Sequence, residues 1–313
     1  MNIAVVIPCY NVARHIEDVI RNIPQDITWI IAVNDCSTDE TDAILLKLSE
    51  ENKRIIYLKH QKNQGVGGAM LTGYAKSIEL DVPITIKMDG DDQMDSAYID
   101  ALLKPLTNDT ADFTKGNRFR DLKALRSMPL IRRFGNLSLS FLIKAASGYW
   151  NIYDPTNGFT AIKNEILKEI DFKKIHKRYF FESSMLIELY YANVVIQDIP
   201  MKARYGTEVS GLSITRTLFE FPYKLFIAFL RRIALKYFLF EFNIASMYLL
   251  FGLPLFIFGI VYGGINYMEY SSHQIAAPTG TVVIPTLLII LGFQLLLSAA
   301  NFDITNYPKK NAN

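Results

Sequence analysis

Two long uncharged stretches near the C-terminal end constrain the architecture of this chain most strongly. No charged residue lies between Glu241 and Glu269, a region that contains the apolar run "NIASMYLLFGLPLFIFGIVYGGI" at 243–265. A second uncharged run, "TVVIPTLLIILGFQLLLSAANF", occupies 281–302. Each run is long enough to cross the hydrocarbon core of a bilayer as a helix. Two buried helices of a globular core are the alternative, but uncharged runs of this length favour two membrane spans.

Lys and Arg are distributed unevenly around these two spans. They are absent from the connecting loop at 266–280, but they occur just before the first span and just after the second. The residues concerned are Arg231, Arg232, Lys236, Lys309 and Lys310. Because cytoplasmic flanks carry the excess of Lys and Arg, both flanks are predicted to be cytoplasmic and the short loop external.

The N-terminal part of the chain is also expected in the cytosol. Its first apolar run, "IAVVIP", is too short for a signal peptide and follows no basic region. The two cysteines, Cys9 and Cys36, lack metal-ligand spacing and are interpreted as free thiols of a reducing compartment. The formal net charge is only +2 and no basic tract occurs, so nucleic-acid binding is not expected.

The segment at 216–242, upstream of the first span, mixes aromatic and aliphatic residues with scattered Arg and Lys. This composition is typical of an amphipathic helix that lies in the membrane interface. A third core helix is the alternative. The predicted domains are therefore a cytoplasmic domain at 1–212, juxtamembrane helices at 213–242 and a two-span region with a short tail at 243–313.

Residues 1 to about 115 alternate between strand and helix patterns. Short apolar strands are predicted at 2–8, 29–35, 54–60 and 83–89, and helices at 13–23, 39–51 and 66–80. Apolar strands separated by helices predict an α/β fold with a parallel sheet that is covered on both faces.

Polar or glycine-rich sequence follows each of these four strands. The clusters are "CYN", "NDCSTDET", "NQGVGG" and "DGDDQ". Because ligands of such sheets bind at the carboxyl ends of the strands, the four clusters are expected to form one crevice.

The last cluster belongs to "IKMDGDDQMD" at 86–95, which holds four aspartates within seven positions. Carboxylates this close repel one another unless a cation or a set of donors compensates them. A solvated turn is one alternative, because Asp and Gly are common in turns. An aspartyl-phosphate-forming phosphatase is another, but Asp92 and Gln93 stand where such enzymes usually carry other residues. A dinucleotide fingerprint in "GVGGAM" at 65–70 fails on its spacing.

Six motifs in this order resemble family 2 glycosyltransferases of the GT-A fold: "VVIPCYN", "VNDCSTDET", "NQGVGGA", "MDGDDQ", "NGFTAI" and "FFESSML". With two C-terminal spans, the chain resembles the membrane-anchored branch that includes polyprenyl-phosphate mannose and glucose synthases. The resemblance implies an inverting glycosyltransferase with a Rossmann-like nucleotide-sugar domain, in a bacterial or archaeal cell membrane. It implies a UDP- or GDP-sugar donor, a polyprenyl phosphate acceptor and a divalent metal, Mg²⁺ or Mn²⁺. The resemblance is compatible with a homo-oligomer and does not define the oligomeric state.

By this resemblance, the acidic motif holds the metal against the donor diphosphate. Asp91 would be the main ligand, Gln93 a further one, and Asp89 would lie near both ribose and metal. Oxygen ligands of this kind suit Mg²⁺ or Mn²⁺. The nucleotide-sugar site implied by the family comprises Pro8, Tyr10, Asn11, Asp35, Gly65, Asp89 and Arg118. Within it, Asp35 would accept an N–H group of the base.

The acceptor side implied by the resemblance comprises Asp154, Asn157, Gly158 and Lys202. Arg204 is expected to meet an acceptor phosphate near the membrane, together with Lys202. Glu182 follows three aromatic residues, and it is either a catalytic base or a structural carboxylate. The residues assigned to catalysis are Asp91, Glu182 and Arg204.

The chain departs from the family pattern in two places. Val66 and Met70 stand in the glycine-rich segment, where many relatives carry Lys or Arg, so fewer cations are expected near the diphosphate. Asn34 and Cys36 replace an aspartate and a glycine of the second motif.

Three functions are compatible with the sequence. The first is transfer of a sugar to polyprenyl phosphate, and the second is transfer to a hydroxyl of a lipid-linked glycan, which would need a base. The third is a non-catalytic membrane scaffold, which gives no reason to retain Asp35, Asp89, Asp91 and Gln93 together.

Overall fold

A computed structural model describes residues 2–119, 130–202 and 214–310; at 130–134 and 214–219 it describes the backbone alone. The chain divides into two compact units. The first comprises residues 1–228 and 308–313, and the second comprises residues 229–307.

The first unit is built on a seven-stranded sheet in the order β3-β2-β1-β4-β6-β5-β7. The strands are β1 (Ile3–Cys9), β2 (Trp29–Asn34), β3 (Ile55–Lys59), β4 (Ile84–Lys87), β5 (Phe113–Asn117), β6 (Thr160–Lys163) and β7 (Ile196–Pro200). Strands β1 to β4 pair in parallel, whereas β6 runs antiparallel to both β4 and β5. The predicted α/β class is confirmed, and so is the parallel pairing of the first four strands.

Helices cover both faces of this sheet, and β1 and β2 are buried almost throughout because their residues are apolar and often β-branched. The helices are α1 (Ile16–Arg21), α2 (Thr41–Glu51), α3 (Val66–Glu79), α4 (Ile99–Thr107), α5 (Leu130–Ser147), α6 (Asn164–Glu169) and α7 (Phe181–Tyr191). Short 3₁₀ turns occur at Ser96–Tyr98 and Phe172–Lys174. The three predicted helices are present as α1 to α3. Helices α2 and α3 are one or two residues shorter than predicted, whereas α1 has only six residues of the predicted 13–23.

The start of α2 illustrates why the sequence pattern was informative. Asp39 accepts a hydrogen bond from the backbone N–H of Thr41 at 3.1 Å, which satisfies a donor that the first turn would leave unpaired. The same carboxylate accepts the N–H of Ala13 at 3.1 Å. Asp39 thus fixes both the beginning of α2 and the loop after β1.

The C-terminal region is helical in its described part. Helix α8 (Ile214–Ala234) continues into a π-helical segment, Leu235–Phe240. Within the second unit, α9 (Ile244–Ser272) and α10 (Thr279–Thr305) have mean hydropathies of 2.2 and 2.3. By length and composition, both helices can cross a membrane. Most of their apolar side chains face outward, which suits a lipid environment better than the core of a soluble domain.

Helices α9 and α10 pack through small residues. A Cβ at Gly292 would lie 2.5 Å from the backbone nitrogen of Phe256, and one at Gly252 would lie 2.9 Å from Cβ of Leu295. Small residues allow this close approach between helices that share no hydrophobic driving force in lipid.

A buried ion pair joins the two ends of the second unit. Arg232 donates to both carboxylate oxygens of Asp303, at 2.7 and 2.8 Å, and the Tyr237 hydroxyl donates to the same carboxylate at 2.6 Å. The flanking charge Arg232, which the sequence assigned to membrane orientation, therefore also has a structural partner.

Candidate functional site

A cleft of about 440 Å³ opens at the carboxyl ends of β1, β2 and β4. Five of the seven predicted nucleotide-sugar residues line it (Pro8, Tyr10, Asp35, Gly65 and Asp89), and so does the predicted metal ligand Asp91. The polar clusters after the first four strands therefore share one crevice, as a parallel sheet with all carboxyl ends on one edge predicts. Arg178 and Tyr179, which the sequence analysis did not select, also line this cleft.

The loops after β1 and β2 are bound to each other by side-chain hydrogen bonds. Asn11 has a left-handed backbone with φ 54°, and its side-chain oxygen accepts the N–H of Thr38 at 2.8 Å. The N–H of Asn11 in turn donates to the Ser37 hydroxyl at 3.1 Å. Asn11 is not a lining residue of the cleft; its contacts stabilise the loop that presents the half-exposed ring of Tyr10.

Asp35 is buried at the base of the cleft, and its carboxylate organises the loop before α3. One oxygen accepts the N–H of Gln64 at 2.8 Å and faces Nδ1 of His60 at 2.7 Å, and the other accepts the N–H of Gly65 at 2.7 Å. A carboxylate oxygen has two lone-pair sites, so the oxygen bound to Gly65 retains capacity for one more donor.

The glycines at the start of α3 accommodate another backbone segment. Gly65 has φ 87°, and a Cβ there would lie 2.6 Å from the carbonyl oxygen of Lys177. A Cβ at Gly67 would collide with the carbonyl oxygen of His176 and lie 2.8 Å from the ring of Phe181. The glycine-rich segment thus allows residues 176–181 to pack directly on the N-terminus of α3.

Asp89 and Asp91 lie on the loop after β4, and both residues line the cleft. Asp91 accepts the backbone N–H of Gln93 at 3.1 Å, and the turn continues through Asp92 with φ 59°. Gln93 is not a lining residue. No group of three or more His, Cys, Asp or Glu side chains that could hold a metal occurs in the described part of the chain. One or two carboxylates combined with substrate phosphates are nevertheless the usual ligands of Mg²⁺, and the two aspartates fit that arrangement.

Lys87 lies directly behind these aspartates and was missed by the sequence analysis. It is 1% exposed, and its Nζ donates to Oδ1 of Asp89 at 2.5 Å and lies 3.6 Å from Oε1 of Glu182. Burial alone would lower the pKa of Lys87, but the Asp89 and Glu182 carboxylates hold it above its ordinary value. The ammonium is therefore charged and compensates part of the aspartate repulsion. A lysine at the end of a buried central strand was the signal that could have revealed it.

Glu182 lies in the first turn of α7 and is partly buried. Its described ion-pair partner is Lys87, which connects it to Asp89. Gly158 closes this cluster from the other side, because a Cβ there would meet Nζ of Lys87 and lie 2.8 Å from Oδ2 of Asp89. Gly158 and Glu182 are thus brought to the aspartate loop.

Arg118 and Asp154, which are not among the lining residues of the cleft, form a two-point ion pair. The guanidinium donates to both oxygens of Asp154, at 2.8 and 3.1 Å, and the backbone N–H of Arg118 donates to the same carboxylate at 3.2 Å. Asp154 is fully buried, and its two-point contact fixes the orientation of the Arg118 guanidinium.

Asn157 is buried, and its carbonyl oxygen accepts a hydrogen bond from Nζ of Lys115. Lys115 is a second buried lysine that the sequence analysis missed, and burial lowers its pKa to about 8. Lys202 follows β7, and its backbone N–H donates to the Tyr98 hydroxyl at 3.1 Å while its side chain is exposed. Arg204 lies outside the described residues.

Comparison with known proteins matches residues 4–171 to the model of a family described as glycosyl transferase family 2. A UDP-N-acetylglucosamine–dolichyl-phosphate N-acetylglucosaminyltransferase of Methanococcus voltae is 33% identical over 232 residues, which cover 70% of this chain and 92% of that protein. A dolichol-phosphate mannosyltransferase of Pyrococcus furiosus is 25% identical and covers 71% of this chain and 62% of its own length.

Among solved structures, glucosyl-3-phosphoglycerate synthase of Mycobacterium tuberculosis, in complex with Mn²⁺, UDP and its product, is similar with a TM-score of 0.54. It is 18% identical and covers 74% of this chain and 79% of its own. At this identity the likeness establishes the fold, a mixed α/β sheet of the GT-A type.

Proposed function

Because the chain belongs to glycosyl transferase family 2, we propose that it transfers a sugar from a nucleotide-sugar to a polyprenyl phosphate at the cytoplasmic face of a membrane. One observation carries the proposal: a cleft lined by Asp89 and Asp91 occurs in the same chain as two helices fit to span a membrane. The relative from Methanococcus voltae, which is named for a UDP-sugar donor and dolichyl phosphate, supports it.

In this proposal the cleft binds the nucleotide. Pro8 and Tyr10 form the wall beside the base, and the free lone pair of Asp35 accepts an N–H group of uracil or guanine. Asp89 and Asp91 would hold a divalent ion, with Gln93 as a further ligand. When bound, such an ion neutralises negative charge on the departing nucleoside diphosphate. The solved neighbour contains Mn²⁺ and UDP, which supports the presence of a divalent ion in this site.

The transfer itself needs no proton to be removed. A phosphate oxygen of the acceptor, ionised at pH 7, bonds to the anomeric carbon as the bond from that carbon to the diphosphate oxygen breaks. The electron pair leaves with the nucleoside diphosphate. The chain has only to place both substrates and compensate their charges. Lys202 and Arg204 are proposed to hold the acceptor phosphate, and Arg118, oriented by Asp154, is proposed to face the donor phosphates.

Transfer to a sugar hydroxyl is the second candidate, because Glu182 and Asp89 both contact the ammonium group of Lys87. A hydroxyl acceptor would require a base, and Glu182 would have to serve as that base. Its contact with Lys87 favours a positioning role instead, since the carboxylate already compensates a buried ammonium.

A panel of labelled donors tests the proposal. The purified full chain is incubated with MgCl₂ or MnCl₂, a labelled UDP- or GDP-sugar, and either polyprenyl phosphate or a lipid-linked glycan. We expect a labelled lipid with polyprenyl phosphate that releases its sugar in mild acid, and none from Asp91→Ala. Label in the glycan alone would contradict the phosphate acceptor, and equal activity of Asp91→Ala would contradict the metal assignment.

A further inference from the structure

The cleft is strongly acidic for a site that is to bind a diphosphate. Asp35, Asp89 and Asp91 line it, and among the described lining residues Arg178 is the only Lys or Arg. Val66 and Met70 give the first turns of α3 no side-chain cation. A polyanionic ligand needs positive charge beyond one divalent ion, so the position of Arg178 is informative.

Backbone hydrogen bonds fix the position of Arg178 beside the cleft. The carbonyl oxygen of Lys177 accepts the N–H of Gly68 at 2.9 Å, which ties this segment to α3. The carbonyl oxygen of Arg178 accepts the N–H of Phe181 at 2.8 Å, where α7 begins. The carbonyl groups of Arg178 and of the residue before it are therefore bound to the first turns of two helices.

The side chain of Arg178 runs along Gly65. A Cβ on Gly65 would lie 2.9 Å from Cγ of Arg178 and 3.1 Å from its Cα. The stem of the arginine thus occupies the space that any other residue at position 65 would fill. Within the described part of the chain, its guanidinium has no ion-pair partner, whereas Lys87 and Arg118 are each paired with a carboxylate.

We propose that Arg178 binds the diphosphate of the donor and supplies the positive charge that the start of α3 lacks. This inference rests on the proposed function. The guanidinium presents several N–H donors in a plane, which suits two phosphate oxygens better than an ammonium does. The arginine acts as a binding residue for both the donor and the departing nucleoside diphosphate, and the absence of a side chain at Gly65 leaves space for it.

Calorimetric titration of the purified full chain with UDP and with GDP, each with MnCl₂, tests the proposal. The variants are Arg178→Met, Arg178→Lys and, as a matched control, Lys174→Met, which removes one exposed charge outside the cleft. Arg178→Met should weaken binding of the preferred diphosphate roughly 10- to 100-fold, the loss expected for a charge-assisted hydrogen bond. Binding of the matching nucleoside monophosphate should weaken less, and Arg178→Lys should recover part of the affinity.

Several outcomes would overturn the inference. If Arg178→Met binds the diphosphate as Lys174→Met does, Arg178 is not the binding cation, while the proposed function stands. If wild type binds neither nucleotide, the proposed function fails and the inference fails with it. Melting temperatures of all variants identify a folding defect. If Arg178→Met does not fold, the test rests on Arg178→Lys. Wild-type affinity of Arg178→Lys for both the diphosphate and the monophosphate would then contradict a two-point contact of the guanidinium with the diphosphate.

Discussion

Replacing Lys87 by methionine removes the buried ammonium but keeps a side chain of similar length. Removing one partner of a buried ion pair lowers the free energy of unfolding by about 3–5 kcal/mol when both charges are desolvated. Here Asp89 and Glu182 are 29% and 21% exposed, so water reaches the carboxylates that are left behind. We therefore expect about 1.5–3 kcal/mol, the range of a hydrogen bond to a charged group.

Thermal unfolding of the purified chain measures this loss. For a domain of this size, the expected destabilisation corresponds to a fall in melting temperature on the order of 3–12 °C. Lys47→Met is the control, because Lys47 is 72% exposed and lies 3.8 Å from Glu51, an ion pair expected to contribute about 0–1 kcal/mol. The double variant Lys87→Met/Asp89→Asn should recover part of the loss. Equal melting temperatures for Lys87→Met and the control would refute the reasoning.

Three further predictions follow from other parts of the chain. Burial lowers the pKa of Lys115 to about 8, so between pH 8 and 10.5 this lysine is protonated in the unfolded chain but largely neutral in the folded one. The free energy of unfolding should therefore rise with pH over this range, and Lys115→Met should remove that rise in unfolding experiments. Gly67→Ala places a methyl group against a backbone oxygen, so it should lower stability by about 1–3 kcal/mol and weaken nucleotide binding, whereas Gly135→Ala, with open space around it, should do neither. Of Ser272→Cys and Asn311→Cys, only the first should react with an impermeant thiol reagent added outside intact cells. Labelling of the second variant alone would contradict the predicted orientation.

The local pattern of the sequence was sufficient for the first half of the sheet and for the two apolar helices. Strands β1 to β4 are short apolar runs that end in polar clusters, and this pattern depends only on neighbouring residues. The antiparallel placement of β6 between β4 and β5 could not be predicted in this way. It is a long-range pairing, with Ile84 opposite Lys163, and no turn signal joins the two strands.

The candidate site shows the same division. Pro8, Tyr10 and the aspartates were found because they belong to family-like motifs at the carboxyl ends of predicted strands. Lys87 and Arg178 were missed, since the first depends on what a buried strand faces and the second on packing between α3 and a distant loop. The sequence could likewise not show that the glycines at 65 and 67 pack against residues 176–181, because that contact joins distant parts of the chain.

Kinetics of Glu182→Gln, with polyprenyl phosphate as acceptor, test the central claim most directly. The variant keeps the shape of the side chain, and its melting temperature and nucleoside diphosphate affinity serve as controls for folding and donor binding. If the acceptor is a phosphate that is already ionised, no base is needed, and kcat should stay within about tenfold of the wild-type value. A fall of about 10²–10⁴-fold in kcat, with folding and donor binding intact, would show that Glu182 removes a proton and would contradict the account.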